Sequence, residues 1–100
     1  ILDSAKRELL EETGLVAAEW TKLMDFHLSN SVSDEFGQVF LARQLTQYAP
    51  EPEETEQLQI RKLPFEEAYA MVESGEITDS LSVAAILKIK LMLLDGRLKK

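Results

Sequence analysis

The sequence predicts an α/β domain built around a sheet covered on both faces. Three observations predict it. Leu2, Ala5 and Leu9 recur at i, i+3 and i+7, one face of a helix. The segment 35–45, EFGQVFLARQL, is apolar on both faces at its centre. Phe36, Phe40 and Ala42 share one face, and Val39, Leu41 and Leu45 the other, as in a strand covered from two sides. Beyond an acidic stretch, two more segments carry helical periodicity, and the second is apolar around much of its circumference.

Taken in order, the first helix is expected to end at Gly14, because glycine suits the left-handed position that closes a helix. Residues 19–28, EWTKLMDFHL, read as a strand, and 35–45 as the next. SNSVSD between them is a polar turn. Residues 48–57, YAPEPEETEQ, hold two prolines and four glutamates, so they fit neither a helix interior nor a central strand. They are a loop. LQIRKL (58–63) alternates and is predicted as a third strand. Pro64 fits the first turn of a second helix, with Phe65, Ala68 and Val72 as its buried stripe and Gly75 as its stop. Thr78 or Asp79 is positioned to cap a last helix running from Leu81 to Leu94 and closing at Gly96. So broad an apolar surface implies burial on more than one side.

Composition narrows the function classes. One hundred residues make at most one domain. No cysteine is present, which excludes disulfides and thiolate metal sites. A net charge of −7 is unsuited to passive binding of nucleic acid or of an anionic membrane surface. A phosphorylated substrate would reach such a chain only with the help of metal ions. No apolar run approaches the roughly 18 residues of a membrane span. The opening ILDSAKREL lacks the pattern of a signal peptide, and a cytoplasmic location is expected.

The densest chemistry lies in RELLEETGL, residues 7–15. At about 100° per residue, Glu8, Glu11 and Glu12 fall within a ~100° arc of the first helix. Like charges at this spacing destabilise a helix by a few tenths of a kcal/mol each. A divalent cation reverses the sign of that effect, and Mg²⁺ favours carboxylate and water oxygens. Arg7, beside the cluster, can orient one carboxylate by a bidentate pair. The plain alternative is a solvated helix face, the commoner meaning of such a run. Other candidates read as structural. His27, the single histidine, is a structural or surface residue of a strand. Trp20 could stack a base, but packing is its commoner role. Phe65, Tyr69 and Met71 read as core or interface.

The order of residues in this stretch resembles the second half of the Nudix box, G-x5-E-x7-R-E-U-x-E-E-x-G-U, where U is a bulky aliphatic residue. Arg7, Glu8, Leu9, Glu11, Glu12, Gly14 and Leu15 occupy every fixed position of that half. TGLVAAEWTKLMDF, DEFGQVFLAR, the acidic loop and LPFEEAYAMVESGEITDSLSVAAILKIKL extend the resemblance, more loosely, to the C-terminal part of ADP-ribose pyrophosphatase-like Nudix hydrolases. The resemblance implies a Nudix-like α/β/α sandwich with a mixed sheet. It also implies a chain that begins inside the box and lacks the N-terminal strands, so that residues 1–100 are the C-terminal portion of a single Nudix domain.

The resemblance further implies metal-dependent hydrolysis of the pyrophosphate bond in a nucleoside diphosphate derivative, an ADP-ribose-like nucleotide sugar. Glu8, Glu11 and Glu12 would be ligands of Mg²⁺ or Mn²⁺, and Arg7 their orienting partner. A glutamate from a later loop often adds a ligand or general base in this family. Glu51, Glu53, Glu54 and Glu56 are available here, and Glu54 and Glu56 lie nearest the following strand. ADP-ribose-class members commonly carry a Ser-Pro-Gly-like turn where this chain reads Ser29-Asn30-Ser31. A non-catalytic Nudix-like domain that binds a nucleotide or protein is the alternative, disfavoured by three intact glutamates. The 100 residues alone are expected to be inactive and to self-associate as a homodimer.

Overall fold

A computed structural model describes residues 1–27, 36–48 and 62–99. The chain divides into two compact units, Ile1–Ile60 and Arg61–Lys100. The described elements are helices together with a two-stranded antiparallel sheet, of the mixed α/β character the sequence predicts.

In the first unit, helix α1 spans Leu2–Thr13. Its half-buried residues are Leu2, Ala5, Leu9 and Thr13, the predicted stripe extended by one turn. Gly14 stops it as expected, with φ 75° and its N–H on the Leu10 carbonyl at 2.8 Å. That left-handed residue turns the chain straight into strand β1, Leu15–His27. The strand therefore begins four residues before the predicted Glu19. The small residues Ala17 and Ala18 had hidden its alternation. Strand β2 runs Phe36–Gln47, two residues past the predicted end.

The strands pair from Leu15↔Gln47 to Lys22↔Phe40, then shift by one, so that Met24 faces Val39 and His27 faces Phe36. The shift leaves Leu23 as an extra residue on β1, a bulge. Leu23 and Ala17 are the buried side chains of the sheet. Trp20 meets the Phe40 ring edge-on, with centroids 6.3 Å apart, and its indole N–H donates to the Ala17 carbonyl at 3.2 Å. Its packing role is thus the one the structure shows. Near the end of β2, Gln44 takes a left-handed φ of 59°, and pairing resumes at Ala17↔Leu45.

In the second unit, helix α2 spans Phe65–Ser74. Pro64 sits at its N-cap and not inside the first turn, because its ψ of 144° is extended. The Pro64 carbonyl accepts from the N–H groups of Glu67 and Ala68. Gly75, at φ 85°, ends the helix in a Schellman arrangement: its own N–H bonds Val72 O, and the Glu76 N–H bonds Met71 O at 2.9 Å. Helix α3 spans Ser80–Leu94. Asp79 is its N-cap, accepting from the Ser82 N–H at 3.0 Å and the Ser82 hydroxyl at 2.9 Å. Along α3 only Met92 is buried. Leu87, Leu91 and Leu94 fall at i, i+4 and i+7 and remain exposed, Leu91 by 58% and Leu94 by 71%. The expected burial on several sides is therefore not met for that stripe.

The turn at 29–34 and the acidic loop from 49 to 57 lie outside the described residues. So do positions 58–61 of the predicted third strand, while Lys62 and Leu63 are irregular and lead into Pro64.

Candidate functional site

Helix α1 presents two adjoining faces. Leu2, Ala5, Leu9 and Thr13 form the half-buried one. Arg7, Glu8, Glu11 and Glu12 are all exposed, with the three carboxylates on the arc beside it. Burial of the apolar stripe therefore fixes which way the carboxylates point: outward, with their oxygens open to solvent. Among the described residues, none of these four side chains forms an ion pair or a side-chain hydrogen bond. Arg7 is beside the carboxylates in sequence and unpaired with them in space.

The donor set fits a hard divalent cation in kind: carboxylate oxygens on successive turns, with no competing cation bound to them. Among the described residues no three acidic or histidine side chains come together closely enough to hold a metal ion. Glu8, Glu11 and Glu12 lie on one arc of α1 without forming such a group among the described residues. Glu54 and Glu56 lie outside the described residues.

The last turn of α1 is tied to the sheet. The Gln47 side-chain amide donates to the Thr13 carbonyl at 3.1 Å, and the Tyr48 N–H donates to the Gly14 carbonyl at 2.9 Å. The Thr13 hydroxyl donates to Leu9 O and accepts from the Leu15 N–H at 3.1 Å. No local pattern around Gln47 marks it in the sequence, because its partner is 34 residues away.

The remaining polar features are structural. Asp25 accepts from Lys22 Nζ and from Gln38 Nε2, each at 3.1 Å, and the Lys22 bond holds its carboxyl below the ordinary value. His27 is exposed at the end of β1, where its positive form also favours the Asp25 charge.

A model of the NUDIX domain family matches residues 1–82. The chain belongs to that family. An ADP-ribose pyrophosphatase of Bacillus subtilis (strain 168) is 37% identical over 90 residues, covering 88% of this chain and 49% of that protein. An ADP-ribose pyrophosphatase of Mycobacterium tuberculosis (strain ATCC 25618 / H37Rv) is 36% identical over 88 residues, covering 86% of this chain and 42% of that protein. The chain thus spans about half the length of these relatives, or less. No helix among the described residues is long and apolar enough to cross a membrane.

Proposed function

We propose that this chain carries the metal-binding part of a Nudix hydrolase that splits the pyrophosphate bond of an ADP-ribose-like nucleotide sugar. The observation that carries the reading is the outward arc of Glu8, Glu11 and Glu12 on α1, unpaired and adjoining the half-buried stripe. A purely structural surface helix gains nothing from three like charges on one arc. Membership in the NUDIX family and the names of the two relatives support the same reaction class.

In this reading Glu8, Glu11 and Glu12 bind Mg²⁺ or Mn²⁺ through carboxylate oxygens, and Arg7 holds one of them in orientation once the site is assembled. When bound, the ion neutralises charge on the pyrophosphate oxygens and lowers the pKa of a water molecule beside them. Glu54 or Glu56 accepts the proton of the attacking water. The exposed oxygens of α1 leave room for a phosphate group to approach. The exposed Leu87, Leu91 and Leu94 stripe supports self-association as a homodimer, for which sedimentation at micromolar concentration is the measurement.

The test is release of AMP from ADP-ribose by the full-length protein. Activity should require Mg²⁺ or Mn²⁺. Glu11→Gln or Glu12→Gln should lower turnover at least about a hundredfold, because each removes charge that holds the metal at the transition state. Wild-type turnover in both variants would remove the metal-site assignment. Nucleotide binding with no hydrolysis under any metal would favour the non-catalytic alternative.

A further inference from the structure

We infer that Gln47 is a positioning residue for Glu11 and Glu12, acting through the carbonyl end of α1. The inference rests on the metal-site reading above. The last carbonyls of a helix have no partner within it. The last turn of α1 contains Glu11 and Glu12 and no basic residue. Carboxylates there face the negative end of the helix dipole, so the turn that bears them is the one its own sequence supports least.

Support comes from outside the helix. The Gly14 N–H takes the Leu10 carbonyl at 2.8 Å, and the Tyr48 N–H takes the Gly14 carbonyl at 2.9 Å. Gln47 Nε2 takes the Thr13 carbonyl at 3.1 Å. Two of these donors come from the C-terminal end of β2, Gln47, and the residue just past it, Tyr48. Gln47 is itself anchored there, since its backbone pairs with Leu15 in the ladder. Its amide therefore reaches the carbonyl of the residue that follows Glu12 from a backbone the ladder holds in place. Among the donors to these carbonyls, it is the tertiary side-chain donor and can be removed without touching the backbone.

When that bond is absent, the last turn frays more readily and Glu11 and Glu12 lose their fixed spacing. A cation must then order the turn as it binds. The cost appears in the metal concentration needed, and not in turnover once metal is saturating.

The experiment uses the full-length protein and three variants. Gln47→Met keeps the length of the side chain and removes the donor. Gln47→Lys keeps a donor. Glu12→Gln is the control for the site itself. Mn²⁺ affinity is read by electron paramagnetic resonance without substrate, and the half-saturating Mg²⁺ concentration is read from hydrolysis. Gln47→Met should weaken Mn²⁺ and raise half-saturating Mg²⁺ by roughly three- to tenfold, the scale of one hydrogen bond. Turnover at saturating metal should stay within about twofold, and Gln47→Lys should restore metal affinity. Unchanged Mn²⁺ affinity in Gln47→Met, beside a clear loss in Glu12→Gln, overturns the inference and leaves the site reading standing. So does a lowered thermal midpoint in Gln47→Met with no change in Mn²⁺ affinity. Unchanged Mn²⁺ affinity in Glu12→Gln overturns the site reading itself.

Discussion

The Nζ of Lys90 on α3 lies 4.6 Å from the centroid of the Tyr69 ring on α2. The same ammonium is 2.9 Å from the Glu66 carboxylate, so one cation ties two residues of α2 to α3. Tyr69 in turn donates its hydroxyl to Glu73 at 3.0 Å, a bond to a carboxylate that raises the phenol above its ordinary value. The ring thus stays neutral through the physiological range and offers its face to Lys90.

The two attractions differ in their response to salt. The Glu66 pair is partly exposed and is screened within a Debye length of about 8 Å at physiological ionic strength. The cation on the ring is a short contact and is screened less. Lys90→Met should lower the thermal midpoint by a few degrees at both low and high salt. Glu66→Gln should matter only at low salt. Equal losses for the two variants at high salt would show that the ring contact contributes nothing.

Gly37 and Phe26 face each other across the sheet, and a Cβ built on Gly37 would collide with the Phe26 ring. The position is restricted by space, since Gly37 is not among the residues with positive φ. Gly37→Ala should therefore destabilise the first unit by about 1–3 kcal/mol, the usual cost of overpacking. Phe26→Leu in the same chain should recover part of the loss, a non-additive pair measured by denaturant titration. Strict additivity would mean that the ring moves aside freely.

These particulars show what the sequence makes legible. Helix α1 was readable because its stripe and its glycine stop are local signals, and both act within one turn. Asp79 was readable as a cap for the same reason. The bulge at Leu23 was not, because one extra residue changes the register of a strand without changing its composition. The start of β1 was hidden by two alanines that carry no polarity contrast. Of the proposed site, Glu8, Glu11 and Glu12 stand out through their order in RELLEETGL. The bond from Gln47 to Thr13 joins residues far apart in the chain, and no spacing rule announces it.

The cap of α3 sets a pH response. The Ser82 N–H and hydroxyl hold the Asp79 carboxyl below its ordinary value of 3.8. A folded pKa below the unfolded one means that the cap stabilises fully above about pH 4. Its contribution is lost as pH falls through the folded value. Thermal midpoints measured from pH 7 down to pH 2 should decline more steeply below pH 4 in the wild type than in Asp79→Asn, which caps without titrating. The two profiles should converge at the acid end. Parallel profiles across the range would remove Asp79 from the acid response and leave Asp95, also lowered through its bond from the Arg97 N–H, as the group to test.

The acidic loop offers the last prediction. If the three carboxylates of α1 hold the cation as proposed, they would be a poor source of a base, because a carboxylate bound to a divalent ion has little affinity for a proton. In the proposed reaction the proton of the attacking water would then need a separate acceptor. Glu54 and Glu56 are the acidic residues of the loop nearest Arg61 and Leu63, where the chain leads into α2. A base acts mainly in the transition state, whereas a substrate contact acts in the ground state as well. Replacing Glu54 and Glu56 together by Gln in the full-length protein should therefore lower kcat more than it raises KM, and should flatten the acid limb of the pH–rate profile. The single variants should separate the two residues, with one carrying most of the loss. If KM alone rises and the pH profile keeps its shape, the loop touches the substrate without serving as base, and the proton acceptor must be sought elsewhere in the chain.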